Sequence, residues 1–225
     1  MSVHNPQSEL PLRDRTEAGR MLADRLRAYA GRSDAIVLAL PRGGIPVGAE
    51  IAAALELPLF VFVVRKLGVP GHDELAMGAV ATGGRTLMNQ AIINSLHISQ
   101  YEIGLVVERE LRELERRQRL YCRGRQMPDL RDKIVILTDD GVATGSSMLL
   151  AAQAIRAAGA AYLVLAVPVA PVETVSQLHR VANQVVCLAT PEPFVAVGAC
   201  YEDFRQVDDH EVCQILDGLL EHEAA

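Results

Sequence analysis

The stretch from Ile134 to Ser147 constrains the fold more than any other part of the chain. Ile134-Val135-Ile136-Leu137-Thr138 is a short, β-branched apolar run of the kind that forms a fully buried strand. It is followed directly by Asp139-Asp140-Gly141-Val142-Ala143-Thr144-Gly145-Ser146-Ser147 and by an Ala-rich helix to Ala158. A buried strand turning straight into a helix predicts an α/β domain with a parallel sheet. The turn delivers two adjacent carboxylates to the carboxyl edge of that sheet, where open α/β folds bind ligands. Gly141 and Gly145 permit a tight turn and close backbone approach. Thr144, Ser146 and Ser147 add hydroxyls, and the helix points its N-terminal N–H groups into the turn, which makes a phosphate cradle. Carboxylates beside a phosphate site suit ribose hydroxyls or a divalent metal, so the motif as a whole predicts a ribose 5-phosphate ligand.

The flanking elements agree with this reading. Thr16 to Ala30 carries apolar residues at helical spacing and stops at Gly31. Ala35 to Leu40, the turn Pro41-Arg42-Gly43-Gly44, a helix from Ile45 to Leu55 and a strand from Leu59 to Val64 make a βαβ unit. Leu67 to Glu74 reads as a loop, and Ala76 to Ala81 with Arg85 to Met88 as a small hairpin. Ser99 to Arg119 reads as a long charged helix, solvated and laced with i,i+4 ion pairs. Strands at Tyr162 to Val167 and Gln184 to Leu188 flank a helix from Val172 to Val181, and the tail ends in a helix from Asp209 to Leu220.

Composition removes several classes of function. A net charge of −6 supplies no general field for nucleic acid. The four cysteines, Cys122, Cys187, Cys200 and Cys213, form no C-x-x-C pair, which argues against structural zinc and a disulfide framework and for a reducing cytoplasm. Met1 to Arg15 lacks the apolar core of a signal peptide. The longest apolar run, Ala160 to Val172, is broken by Pro168 and Pro171 and is too short to cross a bilayer. A P-loop G-x-x-x-x-G-K-[ST] and a dinucleotide G-x-G-x-x-G are both missing.

Val135 to Met148 closely resembles the signature with which type I phosphoribosyltransferases bind 5-phosphoribosyl-1-pyrophosphate (PRPP). The resemblance extends from Ala35 to Leu188 in element order. It implies a Rossmann-like open parallel sheet flanked by helices, with a small C-terminal hood. The core would occupy 1–189, with an inserted hairpin and long helix at about 82–130, and the hood 190–225. By the same resemblance, Asp139 and Asp140 would hold the ribose 2- and 3-hydroxyls. Ala143, Thr144, Gly145, Ser146 and Ser147 would wrap the 5-phosphate. Arg42, Gly43 and Gly44 would form the pyrophosphate loop, often built on a strained peptide in this family. Arg65 and Lys66 would open a mobile lid that reaches the leaving pyrophosphate.

A looser likeness to purine transferases covers Pro191 to Gly198 and Tyr201 to Phe204. It implies that Phe194 stacks on an acceptor base, Val195 offers it a backbone contact, and Glu202 or Asp203 reaches a metal. Asp139, Asp140, Glu202 and Asp203 are thus the candidates for Mg²⁺ held through PRPP. In 6-oxopurine transferases an aspartate that handles a proton on the base stands where this chain has Ala143, which speaks against a hypoxanthine or guanine acceptor. The activity implied is Mg²⁺-dependent transfer of ribose 5-phosphate from PRPP to a nitrogenous, nucleobase-like acceptor, in the manner of nucleotide metabolism, by a cytoplasmic homodimer. Two alternatives stand beside it. One is a PRPP-binding regulator without turnover, for which the basic stretch Arg109 to Arg125 is the only support. The other is a general sugar-phosphate binder using the same turn.

Overall fold

The computed structural model describes residues 10–122 and 126–223. Helix α1 (Arg15–Arg25) is capped by Asp14, whose carboxylate accepts from the Glu17 N–H. A 3-10 turn, Arg27–Tyr29, completes the helical stretch expected up to Gly31. Strand β1 (Ala35–Ala39), helix α2 (Gly44–Leu55) and strand β2 (Leu59–Val61) form the expected βαβ unit. Next come β3 (Val64–Val69), β4 (His72–Ala81), β5 (Arg85–Met88), a short α3 (Gln90–Ser95) and the long α4 (Gln100–Cys122). The core resumes with β6 (Ile134–Thr138), α5 (Ser146–Ala157), β7 (Tyr162–Val169), α6 (Val172–Leu178) and β8 (Gln184–Ala189), and α7 (Asp209–Glu223) follows.

The main sheet is fully parallel, in the order β2-β1-β6-β7-β8. Alternation along its strands sorts the side chains into two cores. Ala35, Val37, Ala39, Ile136 and Val164 face α1 and α2. Ile36, Leu38, Val135, Leu137 and Leu165 face α5 and α6. Burial on both faces accounts for the near-continuous apolar runs of these strands.

Two expectations are corrected between Leu59 and Glu74. The run Leu59 to Val64 is not one strand, because the chain leaves the parallel sheet at Phe62-Val63. There the buried Thr82 hydroxyl accepts from the Val63 N–H at 2.8 Å, and the Thr82 N–H donates to the Val63 carbonyl at 2.9 Å. Val64 therefore opens a second, antiparallel sheet in the order β3-β4-β5. Leu67 to Glu74 is accordingly strand and turn rather than loop. Leu67 and Val69 are buried while Pro70-Gly71 turns the chain, so two well-spaced apolar residues outweigh the Gly/Pro content.

The charged helix α4 is self-neutralising along its exposed side. Arg112 pairs with Glu108, and Arg116 and Arg117 both pair with Glu113. Arg125, at the end of the basic stretch, lies outside the described residues. Among the described residues no helix is long and apolar enough to cross a membrane.

Candidate functional site

The strand order fixes where a site can form. From β1 the chain moves outward to β2, and from β6 it moves the other way to β7, so the sheet reverses direction between β1 and β6. Such a reversal opens a crevice at the carboxyl ends of the two strands. The loops at 40–44 and 139–145 leave the sheet on either side of it. Their strands are in register, with Ala39 beside Thr138, and the Leu40 N–H donates to the Thr138 carbonyl at 3.0 Å.

Contact between the two loops is close. A Cβ on Gly43 would stand 1.9 Å from Asp140 Oδ2, and one on Gly44 would stand 2.9 Å from the Asp139 Cα. Gly43 has an ordinary helical backbone, φ −61° and ψ −30°, so it is glycine for want of space rather than for an unusual conformation. The peptide between Pro41 and Arg42 is cis. Gly43 and Gly44 lie against the acid pair, while the Arg42 guanidinium stands 3.8 Å from Asp209.

Several groups fix Asp140. Arg15 Nε donates to Asp140 Oδ2 at 2.8 Å, the Tyr201 hydroxyl donates to the Asp140 carbonyl at 2.6 Å, and the Asp140 N–H donates to Asp139 Oδ1 at 2.9 Å. Burial and the neighbouring Asp140 charge hold the Asp139 carboxyl well above the usual carboxylate range. Burial raises Asp140 too, but the Arg15 guanidinium opposes that rise, so Asp140 is the member of the pair favoured to carry charge. Tyr201 is likewise raised by burial and by Asp140, which keeps its hydroxyl a donor.

The turn beyond the acids has the form of a cradle. Gly145 sits at the helix N-cap with φ +79°, a left-handed conformation that glycine adopts without a side-chain penalty. Ala143, Thr144, Ser146 and Ser147 surround it, and the Thr144 and Ser146 hydroxyls lie 3.2 Å apart. From behind, the buried Thr174 hydroxyl donates to the Ala143 carbonyl at 2.7 Å, and the Val142 N–H donates to the Val169 carbonyl. The first-turn N–H groups of α5 have no acceptor within their own helix and point toward this hollow.

The remaining expected residues are distributed less simply. Arg65 lies on β3 with its guanidinium held by Glu110 of α4 at 2.7 Å, away from the acid pair's own contacts. Lys66 is exposed on the same strand. Phe194 is half-buried against the Leu12, Ala189 and Tyr201 cluster, and Val195 is 80% exposed. Their segment does reach the acid turn, since a Cβ on Gly141 would meet Val197 Cγ1 at 2.4 Å. Glu202 and Asp203 are exposed, and Asp203 Oδ1 accepts from the Arg205 N–H at 3.0 Å. Among the described residues no group of three His, Cys, Asp or Glu side chains is gathered to hold a metal. Two adjacent carboxylates nevertheless suit Mg²⁺, which is commonly bound by one or two acids together with substrate phosphates.

A cavity of about 350 Å³ runs along the crevice, lined by Arg15, Arg42, Gly43, Asp140, Phe204, Gln206 and Val207. A roomier hollow of about 500 Å³ between β4, β5 and α5 has no charged side chain in its wall and offers nothing to neutralise a phosphate. Three residues of the crevice were not legible as such in the sequence. Arg15 looked like the end of a polar terminus, and Gln206 and Val207 carried no local signal. The sequence marks Phe204 only through a loose likeness to purine transferases.

Comparison with known proteins identifies the family of the chain. A family model described as the phosphoribosyl transferase domain matches residues 13–202. Two Mycobacterium tuberculosis proteins, from strains CDC 1551 and H37Rv, both carry a provisional phosphoribosyl transferase name. Each is 45% identical to this chain over 204 residues, 91% of its length. The chain spans 46% of the length of those relatives. A solved structure from Thermus thermophilus is 40% identical with a TM-score of 0.81, covering 91% of this chain and 96% of that one.

Proposed function

Because the chain belongs to the phosphoribosyl transferase domain family, we propose that the crevice between β1 and β6 transfers ribose 5-phosphate from PRPP to a small nitrogenous acceptor and releases pyrophosphate. The observation that carries this reading is the packing of Gly43 and Gly44 onto Asp140 and Asp139 beside the 143–147 cradle. The crevice thereby offers three kinds of group in a row: phosphate donors, acids for a diol, and a second anion-binding loop. PRPP presents the same three features in the same order.

In this arrangement Ala143, Thr144, Gly145, Ser146 and Ser147 hold the 5-phosphate through backbone N–H groups and hydroxyls. Asp139 and Asp140 accept from the ribose 2- and 3-hydroxyls. Gly43 faces the pyrophosphate with its backbone N–H group, Gly44, whose own N–H is held by the Leu40 carbonyl, lets the loop lie close to the acids, and Arg42 adds a guanidinium suited to phosphate oxygens. Arg65 anchors the base of the hairpin through Glu110, and Lys66, beside it, would neutralise the leaving group. The acceptor lies against the Phe194 and Val195 segment, which packs on the turn at Gly141. Its nitrogen attacks C1 as the bond from C1 to the pyrophosphate oxygen breaks. Pyrophosphate leaves with that electron pair, and the proton lost by the nitrogen passes to solvent.

The transition state is oxocarbenium-like, so the protein contributes chiefly orientation and charge neutralisation at the departing oxygen. Asp139, Asp140 and either Glu202 or Asp203 would hold Mg²⁺ through PRPP, and the ion would supply further neutralisation of the leaving group. The protein would act as a cytoplasmic homodimer.

A pyrophosphate-release assay with PRPP, Mg²⁺ and a panel of nucleobases tests the reading. Asp140→Asn should lower turnover by about 100-fold or more while the circular dichroism spectrum stays that of the parent. Equal turnover in the variant would refute the assignment. PRPP binding without release by any acceptor would instead identify a sensor.

A further inference from the structure

Arg15 is the most deeply placed cation of the crevice, and no local pattern announces it. It is the first residue of α1, and the segment before it is pinned to the C-terminal part of the chain. The Leu12 N–H donates to the Cys200 carbonyl at 2.9 Å, and the Glu202 N–H donates to the Leu12 carbonyl at 2.7 Å. This pairing brings the start of α1 over the tip of β6. The Arg15 guanidinium then makes three contacts: Nε with Asp140 Oδ2 at 2.8 Å, Nη1 with the Arg205 carbonyl at 2.9 Å, and a face-on approach to the Phe204 ring at 4.0 Å from its centroid. Phe204 is itself braced by Tyr201, with ring centroids 5.0 Å apart, and the Tyr201 hydroxyl returns to the Asp140 carbonyl.

A cation held this way does more than stabilise the fold. Its partner is one of the two acids of the crevice, and Arg15 itself lines the crevice cavity. A site for a phosphorylated sugar that carries two adjacent carboxylates repels its own ligand unless a positive charge offsets one of them. Arg15 approaches Asp140 through Nε at Oδ2, so this bond does not itself occupy Oδ1, the oxygen that would accept a hydroxyl. The aromatic platform and the Arg205 carbonyl fix the guanidinium plane, so the carboxylate it holds is fixed as well.

We propose that Arg15 is a positioning residue for sugar-phosphate binding: it holds Asp140 in the orientation that receives a ribose hydroxyl and offsets the acid pair's charge before an anionic ligand arrives. The inference rests on the phosphoribosyl transferase reading. It adds to that reading a residue outside the motif, acting through Asp140 rather than on the ligand.

Calorimetry with ribose 5-phosphate on the full chain tests it, using the parent, Arg15→Met, Asp140→Asn and the double variant. Arg15→Met should weaken binding by about 10- to 100-fold, the range found when a residue supporting a ligand-binding group is lost. In the Asp140→Asn background the same change should cost little more, because residues that act through one another are not additive. Arg15→Lys, which keeps the charge and loses the planar fork, should recover part of the affinity; it serves in the same cycle should the Met variant not fold. A lowered melting temperature with unchanged affinity would reduce Arg15 to a structural role and overturn the proposal, as would losses that multiply in the double variant. If the parent binds no ribose 5-phosphate, the phosphoribosyl transferase reading itself falls, and the positioning role with it. Normal binding by the parent and by Arg15→Met would defeat the positioning role alone.

Discussion

Gly43 and Asp140, on loops that leave neighbouring parallel strands, are in such close contact that a single methyl group on Gly43 would lie 1.9 Å from the Asp140 carboxylate oxygen. The carboxylate must move to admit any side chain there. Gly43→Ala should therefore lower PRPP-dependent pyrophosphate release by about 100-fold, the scale expected for a displacement of about 1 Å at a reacting centre. The backbone at Gly43 is one that alanine adopts freely, so the melting temperature should change far less than turnover. Comparing the two on one preparation separates a blocked site from a damaged fold.

Glu110 is buried on α4 and accepts from Arg65 of β3 at 2.7 Å, with Arg109 on its other oxygen at 3.0 Å. This clasp joins the inserted helix to the second sheet. Glu110→Gln would leave the Arg65 charge poorly compensated and should cost about 3 kcal/mol. In a domain of this size that corresponds to a fall of roughly 6–12 °C in melting temperature. Thermal unfolding of the variant checks it, and an unchanged midpoint would show that Arg65 finds another acid.

Arg42 lies 3.8 Å from Asp209 at the start of α7, both groups being partly exposed. Asp209 competes with any anion for that guanidinium. Asp209→Asn should tighten binding of inorganic pyrophosphate by about 2- to 5-fold at low salt, the scale of an exposed ion pair. The gain should shrink as ionic strength rises. Arg42→Ala should weaken the same binding in both conditions. Titration at two salt concentrations reads both effects.

Tyr121 donates to the same Asp209 oxygen, Oδ1, at 2.6 Å. Burial, and then this bond to a carboxylate, push its hydroxyl from 10.0 up to about 12. Between those two values the unfolded chain has lost the proton and the folded chain has kept it, so stability should fall as pH rises through that window. Below the lower value the contribution is fully present. Chemical denaturation across this range should show a steeper decline for the parent than for Tyr121→Phe; parallel curves would mean that Tyr121 ionises alike in both states.

The strand Ile134–Thr138, its two acids, the glycine turn and the helix beyond it were readable along the chain because each depends on near neighbours. A β-branched apolar run marks the strand, apolar spacing marks the helix, and Gly145 meets a backbone demand set within its own turn. The βαβ unit before it was readable for the same reason. Other features depend on which distant surfaces meet. Arg15 and Asp140 are 125 positions apart and Arg65 and Glu110 are 45 apart, and nothing local to any of the four announces its partner. The departure of the chain from the parallel sheet at Phe62-Val63 rests on the Thr82 hydroxyl 19 positions away. Periodicity records how a segment buries itself against an average neighbour, whereas an ion pair or a methyl-sized gap requires two particular atoms to be brought together. The chemistry at the tip of β6 was therefore local, and its alignment, through Gly43 on one side and Arg15 on the other, was settled only by tertiary packing.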